Sequence, residues 1–292
     1  MNGLRYTWFV LMGAAILYLA TAPSRSFAED EQALIDVLTS DAPRGEKAIA
    51  CKKLAISGSG KCVPALAALL HDAELAAWAR IALEVIPDPS VDEALRASME
   101  RLDGRQRIGV IKSIGVRQDV NAVGALTKLL ASDEVESATA AAETLGRIGG
   151  DKAIEALVLA LGADVEPVRS EAAYACIICA ERLSAANKAM AAANLYDAVR
   201  AANVPAHRVA QATRGAILAR GAEGVPLLLE QLRSGDLAMV QAALAAARQS
   251  TASSVSQELL AGLADLDADL RALMILALTA VSYTHLTLPT NA

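Results

Sequence analysis

Apolar positions recur along this chain in short, paired runs at helical spacing, and the pairs themselves recur. The clearest unit spans Asp133 to Ala163, where two alanine-rich apolar stretches flank a Gly149-Gly150 break and an aspartate opens the whole. The same opening residue stands at Asp41, Asp72, Asp103, Asp133 and Asp164, spaced 31, 31, 30 and 31 residues apart. The series continues through Asn203, 39 residues on, then Asp236 at 33 and Asp267 at 31. A period this regular is the signature of a repeat array rather than of one core.

Within each unit the pattern predicts two helices. The aspartate sits where its carboxylate can accept amide hydrogen bonds at the start of the first helix. Large apolar residues follow at Leu54, Leu83, Ile114, Leu145, Ile178 and Leu278. Turn formers come next, at Gly58-Ser59-Gly60, Pro87-Asp88-Pro89, Gly149-Gly150, Gly221 to Gly224 and Ser250 to Ser254. A second helix then opens on Val63-Pro64-Ala65-Leu66, Val123-Gly124-Ala125-Leu126, Ile154-Glu155-Ala156-Leu157 or Val225-Pro226-Leu227-Leu228, proline being tolerated in a first turn. Helices of roughly 12 residues, ~18 Å, are too short to stand alone in water. Stacking against the neighbouring units supplies what each lacks. The expected fold is therefore all-α, a right-handed α-solenoid of stacked helical hairpins.

The ends are expected to differ from the array. Residues 1–28 read as a signal peptide: Arg5 in a short basic region, an uncharged apolar core from Trp8 to Ala22, and Ser26-Phe27-Ala28 before Glu29-Asp30. Cleavage after Ala28 would give a periplasmic or secreted protein; retention would leave an N-terminal membrane anchor. Residues 29–40 are expected to form a capping helix and 41–280 seven to eight repeats, the last without its second helix. Val281 to Thr290 reads VSYTHLTLPT, which resembles a translated sequencing adapter. On that reading 281–292 is a non-native tail and the native chain continues beyond Ala280.

The unit from Asp164 to Ala202 holds eight surplus residues, placed by the pattern between Glu181 and Asn194. Shared between two helices they add about one turn each, ~6 Å. They are either length drift or a ridge that shapes a partner surface.

Composition narrows the function. Only 3% of the 292 residues are aromatic while 54% are hydrophobic, which suits closely packed alanine-rich helices better than one bulky core. The net charge is −6, and −8 without the leader's Arg5 and Arg25, with no basic face for nucleic acid. A membrane becomes a partner only if the N-terminal segment is retained.

The aspartate-opened units, Leu145-Gly146-Arg147-Ile148-Gly149 closing a first helix, and second helices of the Val-Pro-Ala-Leu type together resemble HEAT repeats, in particular the short bacterial group also found in phycobilisome lyase subunits. The resemblance spans about residues 41 to 280. It implies a scaffold that binds another protein and has no catalysis or cofactor of its own. It also leaves open a lyase or chaperone for a chromophore protein; separately, the unfinished last repeat leaves open an N-terminal module of a larger enzyme or electron-transfer protein. Members of the family often carry an arginine shortly after the repeat aspartate. Arg169 and Arg271 fit, whereas Glu136 stands where a basic residue is expected.

Candidate chemistry is sparse. Cys176 and Cys179 form a CxxC pattern inside a helix rather than at a helix start, which favours core packing over redox activity, and no second ligand pair exists for zinc. Cys51 and Cys62 flank a turn and could bridge, although their different heights along the hairpin argue against it. His71, His207 and His285 pair with no recognisable nucleophile. Trp78 stands where other units have Gly109, Ala140, Ala173 and Ala242; it either fills a gap, the favoured reading, or projects as a contact anchor. Tyr174 and Tyr196 share that ambiguity. A protein partner would meet the face lined by second helices, with Arg96, Lys128, Lys152, Glu155, Lys188, Arg200 and Glu230 as candidate contacts.

Overall fold

Pairing of short helices is what the chain adopts. The computed structural model describes residues 23–250, 261–262 and 266–284. The leader's apolar core, most of the Ser250 to Ser254 turn, the side chain of Leu278, and the adapter-like residues from His285 onward lie outside these. Every regular element among the described residues is helical, and the fold is all-α with repeated hairpins. It divides into two units, Met1–Arg117 and Gln118–Ala292.

The N-terminal unit contains α1 (Pro23–Thr39), α2 (Arg44–Ser57), α3 (Val63–Ala68), α4 (Ala76–Val85), α5 (Pro89–Arg101) and α6 (Gly104–Arg117). First helices α2, α4 and α6 pack side by side, and second helices α3 and α5 form a layer against them. Large aliphatic side chains fill the seam: Leu54, Leu66, Leu83, Leu95, Ile111 and Ile114 are all fully buried. Helix α1 closes one end. Its Glu31 is buried and accepts from the backbone N–H of Ser59 at 2.7 Å and from Ser59 Oγ at 2.9 Å, tying the cap to the first turn.

The second unit contains α7 (Val123–Leu130), α8 (Val135–Ile148), α9 (Asp151–Ala160), α10 (Glu166–Ala185), α11 (Ala189–Ala201), α12 (Ala206–Arg220), α13 (Val225–Leu232), α14 (Leu237–Gln249) and α15 (Ala268–Thr284). First helices α8, α10, α12 and α14 are again neighbours, with α7, α9 and α11 in the other layer. Between α8 and α10 the seam is largely alanine, while Leu126, Leu145, Leu157 and Leu228 are fully buried elsewhere in the unit. Gly146 on α8 lies so near α10 that an added Cβ would stand 2.7 Å from that of Ala175. This approach is open only to residues without a side chain.

Several expectations need correction. Helix α9 opens at Asp151, one turn before the Ile154 quartet. Helix α3 is only 6 residues, completed by a 3₁₀ turn at Gly60–Cys62. The surplus in the fifth unit goes mainly to α10, which reaches 20 residues, while α11 has 13. Over that length the buried stripe of α10 runs through Ala172, Cys176, Cys179 and Ala180, so Ile178 is only partly buried.

Capping by the repeat aspartate holds at some units and not others. Asp72 accepts from the amides of Glu74 and Leu75, Asp236 from Ala238 and Asp267 from Leu270. Helices α2, α8 and α10 instead have Pro43, Glu134 and Val165 at the cap position, and none of the three makes a side-chain cap bond. The amide bonds of Glu74 and Leu75 hold the Asp72 carboxyl below its ordinary range.

Arginines do more of the linking than the aspartates. Arg107, Arg169 and Arg271, each four or five residues after a repeat aspartate, turn back to backbone carbonyls of the preceding loop at Leu102, Asp164 and Leu266 respectively. A second set reaches the carbonyl end of the neighbouring first helix. Arg117 donates to the carbonyls of Leu83 at 3.2 Å, Ile86 at 2.7 Å and Asp88 at 3.3 Å, and pairs with Asp92. Arg182 donates to Gly146 at 2.9 Å and Arg147 at 2.7 Å. Positive charge at these ends also suits the helix dipole.

Candidate functional site

Hollows open between the helices in both units. In the N-terminal unit α3 and α5 bound one of about 720 Å³. Val63, Pro64, Ala67, Ala94 and Ala97 line its apolar part, while His71, Glu93 and Arg101 supply charge and polarity. Two local features position these walls. Pro64 stands in the first turn of α3, where its missing amide costs no helical bond. Asp88 caps α5 by accepting from Ser90 Oγ at 2.6 Å and from the Ser90 amide at 2.9 Å, which holds its carboxyl below the usual range. Ala67, Ala94 and Ala97 are small enough to leave this part of the groove open.

The second unit has two further hollows. One of about 480 Å³ lies between first helices α10 and α12 and is lined by Tyr174, Glu181, Tyr196 and Arg214. The Arg208 guanidinium rests over the Tyr174 ring, 4.4 Å from its centroid. The other, about 390 Å³, lies at the C-terminal ends of α7 and α9.

The candidate contacts distribute unevenly. Lys128, Lys152, Glu155 and Glu230 are exposed on second helices α7, α9 and α13, and Lys188 is exposed at the turn before α11. Arg96 on α5 is half-buried. Arg200 is engaged with Asp197 at 2.8 Å and Thr213 at 3.3 Å, so it braces α11 against α12. Tyr196 is not a surface contact: it is 4% exposed, with its ring against the backbone of Gly215. Burial pushes its hydroxyl up to about 12. Trp78 departs from the packing expectation in the other direction, being 43% exposed on α4.

All four cysteines are free and buried. Cys51 and Cys62 do not bridge; Cys62 Sγ instead faces the Ser59 carbonyl at 3.0 Å. Burial raises both thiols to about 11 and Cys176 to about 12, and it raises Cys179 as well. Thiols so disposed are poor nucleophiles at neutral pH, and the CxxC pattern is core packing. Among the described residues no group of three His, Cys, Asp or Glu could hold a metal, and no helix is long and apolar enough to cross a membrane.

Residues 93–177, from α5 into α10, match the family of HEAT repeats. Among solved structures the chain is similar to an engineered protein at 21% identity, over 85% of this chain and 77% of that one, with a TM-score of 0.41. It is also similar to human deoxyhypusine hydroxylase, solved in complex with glycerol, at 15% identity over 89% and 98%, with a TM-score of 0.40. No curated protein matches the chain.

Proposed function

We propose that this helical-repeat chain is a scaffold that holds another protein, and that the groove between α3 and α5 is where it does so. The groove itself carries the reading. Its alanine floor, with Glu93 and Arg101 at hand, offers apolar burial in the middle and polar selection at the rim, the division found in protein interfaces. In this reading the chain is a binder rather than a catalyst. Export belongs to the same proposal and rests on the leader-like residues 1–28 alone.

The test replaces Ala97 with photo-reactive benzoylphenylalanine and irradiates the full chain in an extract of its own cells. The expected result is one dominant adduct, identified by mass spectrometry and abolished when Ala94→Arg fills the groove. A spread of weak adducts that Ala94→Arg does not alter contradicts the reading.

A further inference from the structure

The outer face of the N-terminal unit exposes more apolar surface than a solvated face requires. Ile49 and Ile56 on α2, Trp78, Ile81 and Val85 on α4, and Val116 on α6 are between 43% and 85% exposed. Singly, such residues are ordinary. Gathered on three adjacent helices they mark an interaction surface.

The repeat sets their order. Counted from the buried positions Leu54, Leu83 and Ile114, the residues two places on are Ile56, Val85 and Val116. Those two places before are Lys52, Ile81 and Lys112. Because α2 packs beside α4 and α4 beside α6, equivalent positions form rows that cross the helices. Ser113 Oγ donates to Glu84 at 2.6 Å and Arg80 to the Gly109 carbonyl at 3.2 Å, which fixes α4 against α6 in this register. One row is therefore apolar throughout. The next is Lys-Ile-Lys, and Lys52, Lys53 and Lys112 are all exposed.

We infer that this face docks an acidic amphipathic helix of a partner protein, lying across α2, α4 and α6. Neighbouring helix axes lie about 8–10 Å apart, so the apolar row spans roughly 20 Å, the length of ~13 helical residues. A partner helix with apolar residues every seventh position, ~10.5 Å apart, meets Ile56, Val85 and Val116 in turn. Carboxylates along one flank then face Lys52 and Lys112. A second copy docked about a two-fold axis parallel to α4 would set the lysine rows against each other. The surface belongs to first helices, whereas the proposed groove belongs to second helices, so the two readings stand or fall separately.

The experiment uses the full chain carrying Trp8→Phe, which leaves Trp78 as its one tryptophan. The probe is a synthetic helix of roughly 21 residues with leucine at every seventh position and flanking glutamates. A matched peptide with lysines for glutamates, and vesicles of phosphatidylglycerol or phosphatidylcholine, complete the set. The expected result is a saturable blue shift of Trp78 emission with the glutamate peptide alone. Ile81→Ser with Val85→Ser should weaken it at least tenfold, as should Lys52→Glu with Lys53→Glu, whereas Ala94→Arg in the groove should leave it unchanged. Circular dichroism checks that each variant is folded. No shift with the glutamate peptide, an equal shift with the lysine peptide, or a shift with phosphatidylglycerol vesicles in place of the peptide overturns the inference.

Discussion

The two units use one repeat plan and close it by different means. In residues 23–117 the α2–α4–α6 seam is rich in leucine and isoleucine, and Arg117 gathers the carbonyl end of α4, as Arg182 does for α8 in the second unit. In the second unit the α8–α10 contact is alanine against glycine, helices drawn together until side chains nearly vanish. Their outer faces differ as well. Where α4 shows Ile81 and Val85, the matching places on α8 hold Glu143 and Arg147, paired at 3.2 Å. A first helix can thus keep its buried stripe while its outward side is free to become either a solvated surface or a docking one.

The difference can be broken most forcefully at Arg117. Its side chain is 11% exposed, and its removal takes a donor from the Leu83, Ile86 and Asp88 carbonyls and leaves Asp92 without its cation. Arg117→Ala should cost about 3–5 kcal/mol. Urea unfolding followed by Trp78 emission should shift well below the transition followed by helical circular dichroism, because the N-terminal unit is the one weakened. Coincident shifts in both signals would mean that the units unfold together.

Gly146→Val is the counterpart in the second unit. The added side chain meets Ala175 on α10 and should cost about 1–3 kcal/mol. Amide exchange should quicken in α8 and α10 and stay unchanged in α2 and α4. Next comes the cap: Glu31→Ala leaves the Ser59 amide without its partner, an expected loss of about 1–2 kcal/mol, seen as faster exchange at Gly58 to Cys62.

Much of this architecture was legible in the sequence because it depends on period. The aspartate spacing, the glycine and proline turns and the surplus in α10 and α11 are all one-dimensional signals. Features set by helix phase were not. Trp78 and Tyr196 are both large aromatics in apolar runs, yet one projects and the other is buried, because Gly215 leaves room for the Tyr196 ring. Arg117 looks in sequence like any basic residue near a helix end. Its carbonyl partners lie about one repeat earlier in the chain, between Leu83 and Asp88. The groove was partly legible, since second helices were expected to face a partner, but the alanines that line it carry no chemical signal of their own.

Alkali treats the two units alike. Burial raises Cys51, Cys62 and Cys176 above their ordinary 9.0, to about 11, 11 and 12. In the unfolded chain these thiols ionise first, so their contribution is intact below about pH 9 and is lost as pH rises toward the folded values. Thermal unfolding should occur at lower temperature between pH 9 and 11 in both units. A disulfide-exchange reagent should find no reactive thiol in the native protein at pH 7 and all four after denaturation. The smallest expected effect belongs to the outer face. Ile81→Ser and Val85→Ser should each change stability by less than about 0.5 kcal/mol, which separates a surface kept for contact from one kept for folding.

The most direct test of the scaffold reading is an amide-exchange footprint of the full chain with and without the partner captured at Ala97. Slowing should concentrate in α3 and α5, around Val63 to Ala68 and Ser90 to Arg101. Unchanged exchange in those two helices, with slowing confined to the second unit, would contradict it.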